Sequence, residues 1–150
     1  MILLRVALAL ALGVGMPIGS PGASAAAAAP NAFRVIVNPA NPVTELRRAE
    51  VRDLFLKRRS HWTSSLPVAP VDLSPTMDVR SEFSREILEL STTAVTTYWM
   101  QEIFAGRAEP PRVMSTVSAV LAFVAANAGA IAYIPADTPM DGVRAVRIVP

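Results

Sequence analysis

The 150-residue sequence has no cysteine and only one histidine. Without cysteine the chain has neither disulfide bonds nor thiolate metal sites, so its stability has to come from packing. A single histidine, His61, argues against a histidine-based metal site. The sequence also lacks a large excess of either charge, because 14 basic and 12 acidic residues give a net charge of only +2. This balance gives little support to nucleic-acid binding, and we expect neither a metal nor an organic cofactor.

Long apolar runs are missing too, apart from one short run near the start. Residues 1–5 form a short n-region made positive by Arg5, residues 6–14 are apolar, and an alanine-rich run with several A-x-A sites occupies residues 23–29. This order is typical of a secretory signal peptide, and the apolar run is too short to span a membrane. We therefore expect a signal peptide over residues 1–29 and one domain over residues 30–150. The mature protein is expected to be periplasmic or secreted, without membrane insertion after cleavage.

The expected domain alternates short β-branched segments with amphipathic ones. Strands are predicted at residues 33–37, 66–71, 130–134 and 143–149, and helices at residues 45–55, 79–90, 92–105 and 116–126. Thr44 and Ser115 are predicted to cap the first and last helices. The order β-α-β-α-α-α-β-β predicts an α/β sandwich whose mixed, mostly parallel sheet is flanked by helices.

Residues 70–81 form the segment with the most concrete chemistry. The sequence Pro-Val-Asp-Leu-Ser-Pro-Thr-Met-Asp-Val-Arg-Ser predicts a strand, a polar loop with a proline, and a new helix. The start of a helix has unpaired N–H groups and a partial positive charge, both of which favour an anion. Ser74, Thr76 and Arg80 add hydroxyl and guanidinium donors around that start. These three residues are therefore candidate ligand-binding residues.

The same residues also have structural interpretations, which the sequence leaves open. Ser74, Thr76 or Asp78 can instead cap the helix, because these residue types are favoured at that position. Arg80 can be an ordinary surface arginine. Asp72 is more typical of a turn or capping position than of a ligand contact.

Asn38 and Asn41 follow the first predicted strand, each beside a proline. Asparagine in this setting is a typical turn former. Ligands of α/β proteins gather at the carboxyl ends of strands, which gives the two residues a second interpretation. We expect Asn38 or Asn41 to join Ser74, Thr76 and Arg80 at one ligand site.

No residue of the sequence is predicted to be catalytic. A hydrolytic triad would need Ser74, His61 and Asp72, yet no G-x-S-x-G elbow surrounds any serine. The sequence therefore predicts a protein that is not an enzyme.

Four segments in series resemble a known family. Residues 33–41, 46–62, 68–83 and 119–133 together resemble the phosphate-binding component of ABC-type phosphate importers, a type 2 periplasmic binding protein, and in particular its short single-lobe members. The most specific parts are a helix that ends in phenylalanine, basic residues and Trp62, and the strand Gly-Ala-Ile-Ala-Tyr at residues 129–133. The resemblance implies a solute-binding-like lobe that recognises phosphate or another small anion. It also implies the membrane component of an ABC transporter as a partner.

The sequence departs from that family in ways that suggest an alternative function. The chain has residues for about one of two lobes, and the family's glycine-rich phosphate loops have no counterpart in it. Asp72 and Pro75 stand where the family has an arginine and the glycine of a Ser-Gly-Thr turn. A carboxylate repels an anion, and proline lacks an N–H donor. The alternative is a periplasmic interaction or scaffold protein that kept the lobe, lost ligand binding, and binds itself or another partner.

Overall fold

The computed structural model describes residues 32–150, so the expected signal peptide lies outside the described residues. The strands are β1 (Phe33–Val37), β2 (Glu45–Arg47), β3 (Ala69–Leu73), β4 (Arg112–Met114), β5 (Ala130–Pro135) and β6 (Arg144–Val149). The helices are α1 (Arg48–Phe55), α2 (Asp78–Phe83), α3 (Thr92–Phe104) and α4 (Val117–Ala126), and a π-helical turn over Ser84–Leu88 continues α2. None of these helices is long and apolar enough to cross a membrane.

The six strands form one sheet in the order β2-β6-β1-β5-β3-β4. Strand β3 is parallel to β4 and β5, and β2 is parallel to β6, whereas β1 is antiparallel to both of its neighbours. The predicted mixed, mostly parallel sheet is therefore confirmed. Every strand except β1 ends at the same edge of the sheet, which we call the carboxyl edge.

The core is centred on β5 and on a group of four aromatic rings packed beside it. Residues 130–134 of β5 are fully buried, as expected for a central strand covered on both faces. Phe33, Phe55, Phe83 and Tyr133 form the aromatic cluster. The Phe83 and Tyr133 rings are stacked, with centroids 3.8 Å apart and an interplanar angle of 3°. The cluster fixes α1, α2 and β5 relative to one another.

The start of the first helix was predicted wrongly. Residues 45–47 are not helical but form strand β2, and Arg47 rather than Thr44 occupies the N-cap position of α1. Leu46 pairs with Ile148 of β6 and is buried, while its neighbours Glu45 and Arg47 are exposed. This alternation has the period of two that a strand requires.

Four other features also differ from prediction. The predicted helix over residues 79–90 is α2 followed by the π-helical turn, which ends at Glu89 with a left-handed φ of 57°. The predicted strand at residues 66–71 lies at Ala69–Leu73 instead, and β4 was not predicted. Thr116, not Ser115, caps α4 by accepting a hydrogen bond from the Ala119 N–H.

Gly129 lies where the loop before β3 crosses the start of β5. A Cβ atom at this position would be 2.1 Å from the Pro67 carbonyl oxygen. The Gly129 carbonyl also accepts hydrogen bonds of 3.0 Å from Trp62 Nε1 and from the Ala69 N–H. Close backbone approach therefore requires glycine here.

We expect Gly129→Ala to lower the free energy of unfolding by about 2–3 kcal/mol, because the methyl group forces the two backbones apart. Urea denaturation followed by tryptophan fluorescence measures the loss. Gly106→Ala is the control, since nothing lies within 4 Å of a Cβ there and only its φ of +64° opposes the change. Equal losses for the two variants would contradict the explanation by close approach.

Candidate functional site

The connection from β3 to α2 lies at the carboxyl edge, and its hydroxyl groups bind each other. Ser74 Oγ and Thr76 Oγ1 are 2.9 Å apart, and the Thr76 N–H lies 3.4 Å from Ser74 Oγ. Met77 occupies the N-cap position of α2, and no side chain caps this helix. Asp78 is the first helical residue rather than the cap. The capping interpretation of Ser74, Thr76 and Asp78 was therefore wrong.

Arg80 is not a surface residue, because only 8% of its side chain is exposed. One terminal guanidinium nitrogen lies 2.8 Å from Asp72 Oδ2, and the other donates to Ser84 Oγ. The Ser84 hydroxyl in turn donates to the Arg80 carbonyl oxygen at 2.8 Å. A guanidinium has more N–H donors than these contacts use. Arg80 is thus held rigidly and keeps donor capacity.

Asp72 is a buried residue of β3, so its interpretation as a turn or capping residue was wrong. Its Oδ1 atom accepts hydrogen bonds from the Tyr133 hydroxyl and, at 2.9 Å, from the Leu73 N–H. Burial raises the pKa of Asp72, while the Arg80 charge and the Tyr133 hydrogen bond oppose that rise. Burial and the Asp72 charge also raise the pKa of Tyr133, which keeps its proton and remains a donor. Asp72 and Tyr133 therefore position Arg80.

Two shallow clefts meet at Arg80. The threonine cleft has a volume of about 240 Å³ and is lined by Pro75, Arg80, Thr92, Thr93, Thr96 and Thr97. The apolar cleft has a volume of about 250 Å³ and runs from Asp72, Pro75, Arg80 and Thr96 along α3 to β4, with Trp99, Met100, Ile103 and Val113 in its walls. Pro75, Arg80 and Thr96 belong to both linings.

The threonines of α3 are the site residues that the sequence analysis missed. Their spacing, two adjacent pairs four residues apart, places them on one helical face and was the available signal. The Thr96 and Thr97 hydroxyls donate to carbonyl oxygens one turn earlier. The Thr92 and Thr93 hydroxyls make no such bond within residues 32–150, and both lie in the first turn of α3. That turn therefore combines hydroxyl donors with the partial positive charge of a helix start.

Asn38 and Asn41 lie at the opposite edge of the sheet. Strand β1 is antiparallel to β5, whereas β3 is parallel to β5, so β1 ends where β3 begins. Asn38 Nδ2 donates to the Val124 and Ala125 carbonyl oxygens near the end of α4. Asn41 Oδ1 accepts from the Val43 N–H at 3.0 Å. The structure therefore does not bring the asparagines to Ser74, Thr76 and Arg80, and both make turn and capping contacts instead.

The residues of the rejected triad are not assembled either. His61 Nδ1 hydrogen-bonds with Ser60 Oγ, and His61 pairs with Pro67 before β3 begins, whereas Ser74 follows the end of β3. Asp72 is bound to Arg80 and Tyr133. Residues 32–150 contain no group of three side chains able to hold a metal ion.

No family model and no curated protein matches the sequence. Solved structures do match. An ABC-type phosphate transport receptor from Vibrio cholerae is 20% identical, with a TM-score of 0.64 over 78% of this chain and 46% of that one. A putative phosphate ABC transporter substrate-binding protein with bound phosphate from Clostridium perfringens is 19% identical, with a TM-score of 0.61 over 78% of this chain and 44% of that one.

This chain has a periplasmic-binding-protein-like fold. PstS from Borrelia burgdorferi is a further match, 12% identical with a TM-score of 0.60, and it aligns over 78% of this chain and 47% of PstS. The predicted fold class is confirmed by these matches. The chain spans less than half the length of the structures it matches. At this identity the likeness concerns the fold.

Proposed function

We propose that this chain is an exported, non-enzymatic solute-binding protein that recognises a small anion at the carboxyl edge of its sheet. Phosphate is the first ligand to test, because two of the matched structures are named for phosphate and one of them contains it. The observation that carries the proposal is the position of Arg80. It is a buried, positioned guanidinium at the junction of two clefts, at the edge where α/β proteins hold their ligands.

The threonine cleft supplies the chemistry that an anion needs. The two terminal guanidinium nitrogens of Arg80 have more N–H groups than their contacts with Asp72 and Ser84 use, so the guanidinium is not saturated by these two residues. Across the cleft, the first turn of α3 adds the Thr92 and Thr93 hydroxyls to a partial positive charge. Both sides of the cleft therefore favour negative charge.

Ser74 and Thr76 are proposed as further ligand contacts at the rim. They flank Pro75, which lines both clefts beside Arg80. Both hydroxyls lie on the loop that leads into α2, and their mutual hydrogen bond can be exchanged for one to a ligand. Asn38 and Asn41 take no part in this proposal because they lie at the opposite edge.

Asp72 limits the affinity of the proposed site. Its carboxylate lies 2.8 Å from the guanidinium and compensates the Arg80 charge before any ligand arrives. The clefts are also shallow, so a bound anion keeps part of its hydration. We therefore propose weak binding, and a partner such as the membrane component of an ABC transporter would receive the ligand.

Thermal melting of the purified protein tests the proposal. Phosphate at about ten times its dissociation constant should raise the melting temperature by about 3–6 °C, and the shift should grow with concentration. Chloride at matched ionic strength is the reference. Absence of a shift with phosphate, sulfate and organic anions at millimolar concentration would overturn the proposal, and a dimer on gel filtration would then support the scaffold alternative.

Removing the hydroxyl groups of the first turn of α3 should weaken the response. The double variant Thr92→Val and Thr93→Val keeps side-chain size, and we expect it to reduce phosphate affinity at least about tenfold, since the loss of even one hydrogen bond to a charged ligand costs about 1.5 kcal/mol. The same exchange at Thr44 and Thr138, outside both clefts, is the matched control. Unchanged affinity in the cleft variant would remove the threonine cleft from the site.

A further inference from the structure

The two clefts at Arg80 are adjacent and differ in polarity. They share Pro75, Arg80 and Thr96, so a ligand bound at the guanidinium lies next to both clefts. The threonine cleft is polar and faces a helix start. The apolar cleft continues past Thr96 along α3 and has no polar residue beyond that point.

Exposed apolar side chains are concentrated on the apolar cleft. The described part of the chain has four large hydrophobic residues that are more than half exposed, and three of them, Met100, Ile103 and Val113, line this cleft. Trp99 lies buried beneath them. Apolar surface gathered beside a positioned charge is typical of a ligand site, where apolar walls provide affinity and a few polar groups fix orientation.

We infer that the anion taken by this site carries an apolar group: an organic phosphate, phosphonate or carboxylate rather than inorganic phosphate. This inference rests on the proposed anion site at Arg80 and adds the class of substrate. A bare phosphate ion at the guanidinium leaves the apolar cleft in water. An organic anion buries it and gains the corresponding hydrophobic stabilisation.

Asp72 determines which way such a ligand lies. Its carboxylate lines the apolar cleft next to Arg80 but is absent from the lining of the threonine cleft. Because a carboxylate repels an anionic group, the charged end of the ligand binds on the threonine side. The apolar end then extends past Thr96 between Met100 of α3 and Val113 of β4.

Calorimetric titration of the purified full chain with three probes tests this inference. Phenylphosphonate should bind at least about tenfold more tightly than inorganic phosphate, since burial of a phenyl ring accounts for a ratio of that size. Benzylamine has a similar apolar group with a positive charge and should not bind. Equal affinity for phosphate and phenylphosphonate would overturn the inference and leave the proposed function standing. Binding of benzylamine as tight as that of phenylphosphonate would also overturn it.

A variant of the apolar cleft, called the wall variant, tests the contribution of the ligand's apolar end separately from that of its charged end. The double variant Met100→Gln and Val113→Thr makes two exposed side chains of the apolar cleft polar at similar size. It should lower the preference for phenylphosphonate over phosphate to below about threefold. Phe104→Gln is the matched control, because Phe104 is 85% exposed on the same helix and outside the cleft lining. A preference unchanged in the wall variant would overturn the inference. If the wall variant does not fold, the comparison of the three probes on the unaltered chain tests the inference. Failure of every anion to bind would overturn the proposed function together with the inference.

Discussion

Replacing Arg80 by methionine is expected to lower the free energy of unfolding by about 3–5 kcal/mol, because it leaves the Asp72 carboxylate buried without its partner. Arg80 and Asp72 are 8% and 9% exposed and lie 2.8 Å apart, so solvent screens neither charge effectively. Urea denaturation followed by the fluorescence of Trp62 and Trp99, both buried, measures the loss. The same variant should lose the thermal response to phosphate, since Arg80 carries the proposed site.

The loss of unfolding free energy in Arg80→Met should increase from acid to neutral pH. Burial holds the pKa of Asp72 above its ordinary value of 3.8 in the folded protein. The folded state therefore binds more protons than the unfolded state between the two pKa values. Stability from this group is fully present below the unfolded pKa and is lost as the pH rises through the folded pKa. Removing Arg80 raises the folded pKa further, so Arg80→Met should be least harmful in acid and most harmful at neutral pH.

Two comparisons isolate the buried pair as the cause. The double variant Asp72→Leu and Arg80→Met removes both charges, and we expect it to recover most of the stability that the single variant loses. Arg58→Met removes an exposed arginine 3.9 Å from Asp53 and should cost less than about 1 kcal/mol. A loss in Arg80→Met no larger than that in Arg58→Met would contradict the proposed role of the pair.

The fold was predictable from the sequence where a segment has its own local signals, but not where neighbouring strands determine the structure. Strand β1 lies at its predicted position because it is a short β-branched run followed by a proline-containing turn, and α3 lies close to its predicted position because Val95 and Trp99 have helical spacing. β2 and β4 have only three residues each, and they become strands because β6 and β3 lie beside them. A pattern confined to residues 45–47 contains too little information to separate a strand from the first turn of a helix.

The position of the candidate segment was predictable from the sequence, but its contacts were not. The segment at residues 70–81 does connect β3 to α2 at the carboxyl edge. That Asp72 pairs with Arg80, and that Tyr133 from 61 residues later completes the group, follows only from the packing of β3 against β5. Asn38 and Asn41 were expected at the same edge because the sequence does not reveal that β1 runs opposite to the other strands.

The second large effect is expected at Phe83, the residue that links the core to the site. Its side chain is fully buried, stacks on Tyr133, and contacts Phe33 and Phe55 at centroid distances of 5.4 and 4.7 Å. Phe83→Ala should lower the free energy of unfolding by about 3–5 kcal/mol, since the cavity adds to the lost transfer free energy. Urea denaturation measures the loss.

Phe83→Leu keeps most of the volume and should cost less than Phe83→Ala, while Phe104→Ala should cost less than about 0.5 kcal/mol because Phe104 is 85% exposed. The stacking of Phe83 holds the Tyr133 ring, and the Tyr133 hydroxyl holds Asp72 against Arg80. Phe83→Leu should therefore also weaken phosphate binding, although Phe83 lines neither cleft at Arg80. Full phosphate affinity in a folded Phe83→Leu variant would show that the aromatic cluster stabilises the domain without positioning the site.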